Sequence, residues 1–439
     1  MSTYTDHKLL NRSVGIFGAT LLGLGSILGT GVYFGIPTLT AQSGMSLILP
    51  IVTAAVLGTC NALSSAQLAA CYPVSGGTYE YGYHLLNPWA GFAAGWLFLC
   101  AKSASAATAA LQVTANLLSG PTPLPACGIV AAVTVLVISG LRRSTWINTG
   151  LVAMSVIGLA VFFTVAMKSS AEDLTSSGSA AAVTTRLAEA SQPDTYQRSP
   201  MNRDNSFNVP LFLRMTALIF VAFTGYGRVA TLGEEIRNPR RSIPLAVVVT
   251  LLISATLYIL TAVGVNRFQP GMPDCGTLTA LTSSTGSTAS HFVALGAVAA
   301  MLGVLLNLLL GLSRVVLAMA RRNDLPVLFA GLNSRRTTPV YAVLFVAAIV
   351  TALVVLQDSH SAWSLSAVTV LVYYGLTNLA ALKLPPEHRL YPRWIAVTGL
   401  CGCFLLAAHV DLKSWMTGVC LLLAGLAGRS VSRAFRSLS

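Results

Sequence analysis

The chain reads as a succession of long apolar runs separated by short polar breaks, and runs of that length predict membrane-crossing helices. Helices 1 to 5 are expected at about 14–38, 45–70, 89–117, 126–141 and 146–167. A polar stretch rich in Ser, Thr and Ala follows over 168–208, too long for a tight turn and expected to be a mobile outer loop. Helices 6 to 10 are expected at about 209–232, 245–265, 291–320, 338–357 and 362–382, and helices 11 and 12 at about 394–410 and 414–428. These segments form one transmembrane domain covering 1–439. The loop Tyr72-Pro73-Val74-Ser75-Gly76-Gly77-Thr78-Tyr79-Glu80-Tyr81 carries aromatics suited to a membrane interface, as do Trp89, Trp96, Trp363, Trp394 and Trp415.

Two of the runs are interrupted. Helix 1 contains Gly23-Leu24-Gly25-Ser26-Ile27-Leu28-Gly29-Thr30-Gly31-Val32-Tyr33-Phe34-Gly35, and each glycine costs a helix about 1 kcal/mol relative to alanine. Helix 6 contains Phe220-Val221-Ala222-Phe223-Thr224-Gly225-Tyr226-Gly227. Small-residue seams that pack helices closely would look similar. The two interruptions, however, stand five helices apart, at matching places in helices 1–5 and 6–10. Such a pair points to a transporter site built on inverted repeats. Unwinding frees amide N–H groups for a carboxylate and carbonyl oxygens for an ammonium, so a zwitterion is the natural ligand. Gly29, Thr30 and Gly31 could supply the donors, and the backbone from Val221 to Thr224, next to Gly225, the acceptors.

Composition agrees with the pattern. Hydrophobic residues make up 54% of the 439 residues and charged ones only 9%, with a mean hydropathy of +0.71, which excludes a soluble domain. The net charge of +13 reports cytoplasmic basic residues and not nucleic-acid binding. Twelve helices place 19 of the 27 Lys and Arg on the side of the termini, Arg228 among them, so both termini are expected in the cytoplasm of a multi-pass cell-membrane protein. The eight cysteines show no metal spacing. Cys127 and Cys275 both fall near the outer face, with free thiols expected and a disulfide as the minor alternative. No metal or other cofactor is expected; the expected partners are a small amino acid and membrane lipid. The histidines fall near helix ends, and Glu234, Glu235 and Arg237 read as an inner-face ion-pair cluster, with Arg314 anchoring the end of helix 8.

Gly25 to Tyr33 resembles the first-helix signature of the amino acid–polyamine–organocation (APC) superfamily of permeases. Phe220 to Tyr226 followed by Glu234-Glu235-Ile236-Arg237-Asn238-Pro239-Arg240-Arg241-Ser242-Ile243-Pro244 is similar to that family's sixth helix and following loop, and Ser313-Arg314 through Leu325-Pro326 to the end of its eighth. The resemblance implies an all-α leucine-transporter fold, two inverted five-helix repeats plus two C-terminal helices. It implies that a substrate carboxylate meets the backbone at Gly29, Thr30 and Gly31, that the ammonium meets the carbonyls of Ile27, Val221 and Thr224, and that Phe223 gates the site. Helix 3, on the same analogy, brings Lys102 and Ser105 near.

The sequence departs from the family at the coupling sites. Ser155 stands where many proton-coupled members carry a helix-5 lysine, and Ala297 to Leu306 lacks the hydroxyls of sodium-coupled relatives. Lys102 is the basic residue at a predicted helix centre, where insertion costs about 2.5–3.5 kcal/mol. It is a coupling candidate, as a titrating group or a fixed charge; the alternative is a structural lysine bonded to helix 1 carbonyls. The expected function is a secondary transporter of amino acids, with neutral substrates favoured over cationic ones and with proton coupling or exchange. A polyamine or organic-amine carrier would want buried acids, and an exchanger without ion coupling is the nearer rival. A non-transporting sensor would want a signalling domain, and a membrane enzyme a polar cluster at depth that is not apparent.

Overall fold

The computed structural model describes residues 12, 14–118, 120–168, 208–231, 233–268, 276–283, 287–333, 338–356 and 359–437. Twelve helical segments, called spans 1 to 12 below, stand at the twelve expected places. Eight are long and apolar enough to cross a membrane: spans 1, 2, 3, 5, 6, 7, 8 and 10. Spans 4 (Pro123–Ile138) and 9 (Val340–Leu356) are shorter apolar helices, and spans 11 (Arg393–Ala407) and 12 (Leu412–Ser437) meet at 116°. The stretch 169–207 and Cys275 lie outside the described residues; Cys127 is a free thiol.

Several boundaries move for local reasons. Span 3 (Pro88–Leu117) opens on Asn87, whose side chain accepts from Ala90 N at 2.7 Å, with Pro88 in the first turn where its missing N–H costs nothing. Asn208 caps the start of span 6 in the same way, accepting from Leu211 N at 3.0 Å. Span 7 (Pro239–Phe268) begins in the basic Pro239-Arg240-Arg241 stretch, ahead of the expected start at 245, and Pro244 falls close enough to its start to be tolerated. The aromatic loop after span 2 (Ile48–Cys71) contains a further short helix, Thr78–Leu85, and the polar loop before span 8 another, Leu278–Thr282, capped by Thr277.

The packing pattern carries the repeat. Span 2 packs on span 7, span 3 on span 8 and span 4 on span 9. Span 1 rests on span 7 as span 6 rests on span 2, and span 5 (Leu141–Lys168) on span 8 (Ser287–Arg321) as span 10 (Ser359–Lys383) rests on span 3. Exchanging each span n with span n+5 thus maps these contacts onto one another. Five is odd, so the second repeat runs inverted through the membrane. Spans 1 and 6 are mostly enclosed: 67% and 72% of their most apolar windows are covered by protein, against 39% of that of span 7, whose outer face presents residues such as Leu252 to lipid.

Candidate functional site

Both interior spans break at mid-length, and the breaks touch. Span 1 is helical over Ile16–Ile27, loses helical dihedrals at Leu28 and Gly29, resumes as a wider π-helical turn over Thr30–Gly35, and continues as an α-helix over Ile36–Ser43. Span 6 runs over Val209–Phe223, tightens to a 3-10 turn at Thr224–Tyr226, and resumes over Gly227–Thr231. A Cβ on Gly225 would sit 2.6 Å from the carbonyl of Ser26 and from Ile27 Cγ1. A Cβ on Gly31 would fall 2.5 Å from Ala222 Cβ and collide with the Tyr258 hydroxyl. Glycine lets the two backbones cross in direct contact.

The crossing leaves backbone polar groups to satisfy at membrane depth, and hydroxyls of this chain reach them. Tyr258 of span 7 donates to the Ile27 carbonyl at 2.8 Å and lies 3.3 Å from that of Ala222. Thr224 Oγ1 donates to Val221 O at 2.5 Å, and Tyr374 of span 10 to Thr224 O at 3.3 Å. Ser155 Oγ lies 3.4 Å from Leu28 O, while its own carbonyl accepts from Tyr33 OH at 2.6 Å. The acceptors expected for an ammonium are therefore held by Tyr258, Thr224 and Tyr374. Gly29 N donates to Ile27 O at 2.8 Å, and Thr30 and Gly31 open the second half-helix, where their amides have no backbone acceptor one turn back among the described residues.

Lys102 is at the second break, not the first. It is 4% exposed, and its Nζ donates to Thr224 Oγ1 at 2.6 Å, in place of the helix 1 carbonyls considered from sequence. Beside it is a small cavity with room for about one water-sized group, lined by Lys102, Thr224, Arg228, Asn307 and the apolar Phe98 and Leu308. Arg228, which the charge count placed in the cytoplasm, is buried in the inner half of span 6 at 4% exposure. Asn307 bonds through Nδ2 to Asn148 Oδ1 at 2.6 Å, and Asn148 Nδ2 reaches Leu21 O at 2.9 Å, so spans 8, 5 and 1 are knotted below the break.

The remaining candidates disperse. Phe223 packs its ring 4.7 Å from that of Tyr258 and faces Gly58 of span 2. Ser105 turns to span 10, 2.9 Å from Ser366 Oγ. Trp363, expected at an interface, is buried against Phe34 and donates to Leu218 O at 3.1 Å; the two rings border a second small cavity on the outer side. On the inner side Glu234 and Glu235 pair with Arg321 and Arg314 of span 8, both at 2.8 Å, and not with Arg237, which is exposed. The Arg237 amide instead donates to Val14 O at 2.8 Å, and Val14 N to Glu235 O at 3.0 Å, stapling the start of span 1 to the segment after span 6. Burial alone would raise the Glu80 carboxyl, but His84 and the Arg322 guanidinium, bonded to it at 2.6 Å, hold it below the usual carboxylate range. Among the described residues no cluster of His, Cys, Asp and Glu could hold a metal.

The sequence reading missed Tyr258, Arg228 and Asn307. Each had a signal: a tyrosine in mid-span, an arginine directly after Gly225-Tyr226-Gly227, and an asparagine one residue beyond the hydroxyl-free stretch of span 8.

Comparison with known proteins agrees with this architecture. The family model described as amino acid permease matches residues 18–418. An uncharacterized transporter of Mycobacterium tuberculosis is 35% identical over 430 residues, covering 97% of this chain and 92% of its own length. The branched-chain amino acid permease BcaP of Bacillus subtilis is 27% identical over 97% of this chain and 93% of its own. A cationic amino acid transporter of Arabidopsis thaliana is 26% identical over 88% of this chain and 65% of its own. A match of this extent, on a chain whose two interrupted spans cross at their breaks, places the protein in the amino acid permease family of the APC superfamily, whose members are transporters and not enzymes.

Proposed function

We propose that this permease carries a small amino acid across the cell membrane by alternating access, with both termini in the cytoplasm and the substrate held where spans 1 and 6 break. The observation that carries the reading is the contact of Gly225 with Ser26 and Ile27, because it brings the first amides of one half-helix beside the loosened carbonyls of the other. On this reading the substrate carboxylate meets Gly29, Thr30 and Gly31. Its ammonium takes over carbonyls at Ile27, Val221 and Thr224 from the internal hydroxyls. Neutral and acidic substrates are favoured over cationic ones, since Lys102 and Arg228 line the cavity at the break and no carboxylate does. The relative named as a branched-chain permease is in line with that; those named as cationic transporters are not.

Lys102 and Ser155 are the coupling candidates, one bonded to each break. Purified protein in proteoliposomes is expected to take up or exchange a labelled neutral or acidic amino acid. Lys102→Met and Lys102→Ala should lower the rate by about tenfold or more and flatten its dependence on pH, as loss of one charged hydrogen bond would. Wild-type rate and pH profile in both variants would remove Lys102 from the coupling role. No uptake, exchange or binding of any amino acid or amine would remove the transport reading.

A further inference from the structure

The cavity beside the span 6 break holds two cationic side chains. Lys102 uses Thr224 as its acceptor. Arg228 makes one long donation, from Nη1 to Thr231 Oγ1 at 3.4 Å, and its Nε and Nη2 have no partner among the described residues. Its stem rests on Gly311, where a Cβ would fall 3.3 Å from Arg228 Cδ. A guanidinium presents five donors in a planar fork matched to a carboxylate, and a buried one without a partner is costly. Glu235 is the carboxylate close enough to act on Arg228. It is already engaged through Oε1 by Arg314 at 2.8 Å, and Glu234 by Arg321. Glu235 thus bonds Arg314 alone, its Oε2 taking no hydrogen bond from Arg228, and with Lys102 the region stays positive.

We propose that Lys102 and Arg228 form a subsite for one anionic group just cytoplasmic of the crossing, occupied during transport by the side-chain carboxylate of an acidic amino acid. A chloride ion offers the same chemistry at a size near that of the cavity. The acidic amino acid as occupant rests on the transport reading above, whereas the anion subsite itself does not.

The test uses the full-length purified protein in sodium gluconate. Thermal stabilisation is titrated with L-glutamate, L-aspartate, L-glutamine, L-asparagine and sodium chloride, in the wild type and in Arg228→Gln, Arg228→Lys and Lys102→Met. The expected result is that an acidic amino acid binds about 10- to 100-fold more tightly than its amide, as a charge-assisted bond requires. That preference is lost in Arg228→Gln and partly kept in Arg228→Lys. Stabilisation by chloride that ignores the amino acid and disappears in Arg228→Gln assigns the subsite to the inorganic ion. Equal binding of acids and amides together with indifference to chloride overturns the subsite, yet leaves amino-acid transport standing. Binding of chloride through Arg228 with no binding or exchange of any amino acid does the reverse. Should Arg228→Gln not fold, the wild-type comparisons of acid with amide and of chloride with gluconate decide alone.

Discussion

At the residue scale the site depends on atoms that are missing. Gly225 is the position at which span 6 lies against the Ser26 carbonyl, with no space for a methyl group. Gly225→Ala should therefore cost about 1–3 kcal/mol by forcing the spans apart. Gly375→Ala, where the nearest neighbour would be Leu400 Cδ1 at 3.9 Å, should be nearly neutral. Thermal unfolding in detergent and uptake at matched protein levels check the pair; equal behaviour of the two variants would contradict the crossing. Glycines of this kind were legible in the sequence because five of them in thirteen residues of a membrane helix are matched by a second interruption five helices on, which a packing seam alone would not require. Arg228 was not. A basic residue beyond a helix break reads as a cytoplasmic charge until the inner half-helix is seen to be buried. Lys102 was legible as buried, but its partner, Thr224, follows from which span it faces.

At the scale of the element, the breaks hold because neighbouring spans satisfy them. The existence of both interruptions could be read from sequence, as could their matching places, but their shape could not. Span 1 loosens into a π-helical turn and span 6 tightens into a 3-10 turn, a difference that glycine content and hydrophobic period do not encode. Tyr258 is the clearest case: one phenol of span 7 reaches carbonyls from both breaks. Tyr258→Phe should destabilise the empty protein by about 0.5–1.5 kcal/mol, since it removes one of the two donors to the buried Ile27 carbonyl and leaves it the Gly29 amide. If the substrate ammonium replaces the phenol at Ile27, a bound amino acid should recover part of that loss. The ligand-induced rise in melting temperature would then be larger in Tyr258→Phe than in the wild type. A rise of equal size in both would assign the Ile27 carbonyl to structure alone. The element boundaries missed from sequence, at Pro239 and in Thr78–Leu85, fall in polar, proline- or glycine-rich stretches whose helices are fixed by docking and not by hydrophobic period.

For the whole molecule, the repeat symmetry places the breaks at the centre, and the inner face shows what keeps them closed. Glu234 and Glu235 follow the inner half of span 6, which the Val14 staple ties to the inner half of span 1. Their partners, Arg321 and Arg314, belong to span 8, which packs with spans 3 and 5. The two ion pairs thus join the broken spans to the helices around them. The cavity at the break is lined by Arg228, Asn307 and Gly311, and with the termini in the cytoplasm, as proposed above, a route from it to that side is expected to separate these pairs. The two pairs differ in depth: Arg314 is fully buried, whereas the Arg321 side chain is 12% exposed. Removing Glu235 would take the paired carboxylate from a fully buried guanidinium at a cost of about 3–5 kcal/mol and endanger the fold. Glu234→Gln should instead weaken the closed form by about 1 kcal/mol, shifting the balance toward an inward-open form by about fivefold. In a cysteine-replaced background, a cysteine at Leu308 reports that shift through its rate of labelling by an impermeant maleimide added from the cytoplasmic side of inside-out vesicles. Faster labelling in Glu234→Gln, reversed by a substrate that favours the closed form, is the expected outcome. An unchanged rate would mean that the Glu234 pair is not what holds this face shut, leaving the Glu235–Arg314 pair and the Val14 staple to do so.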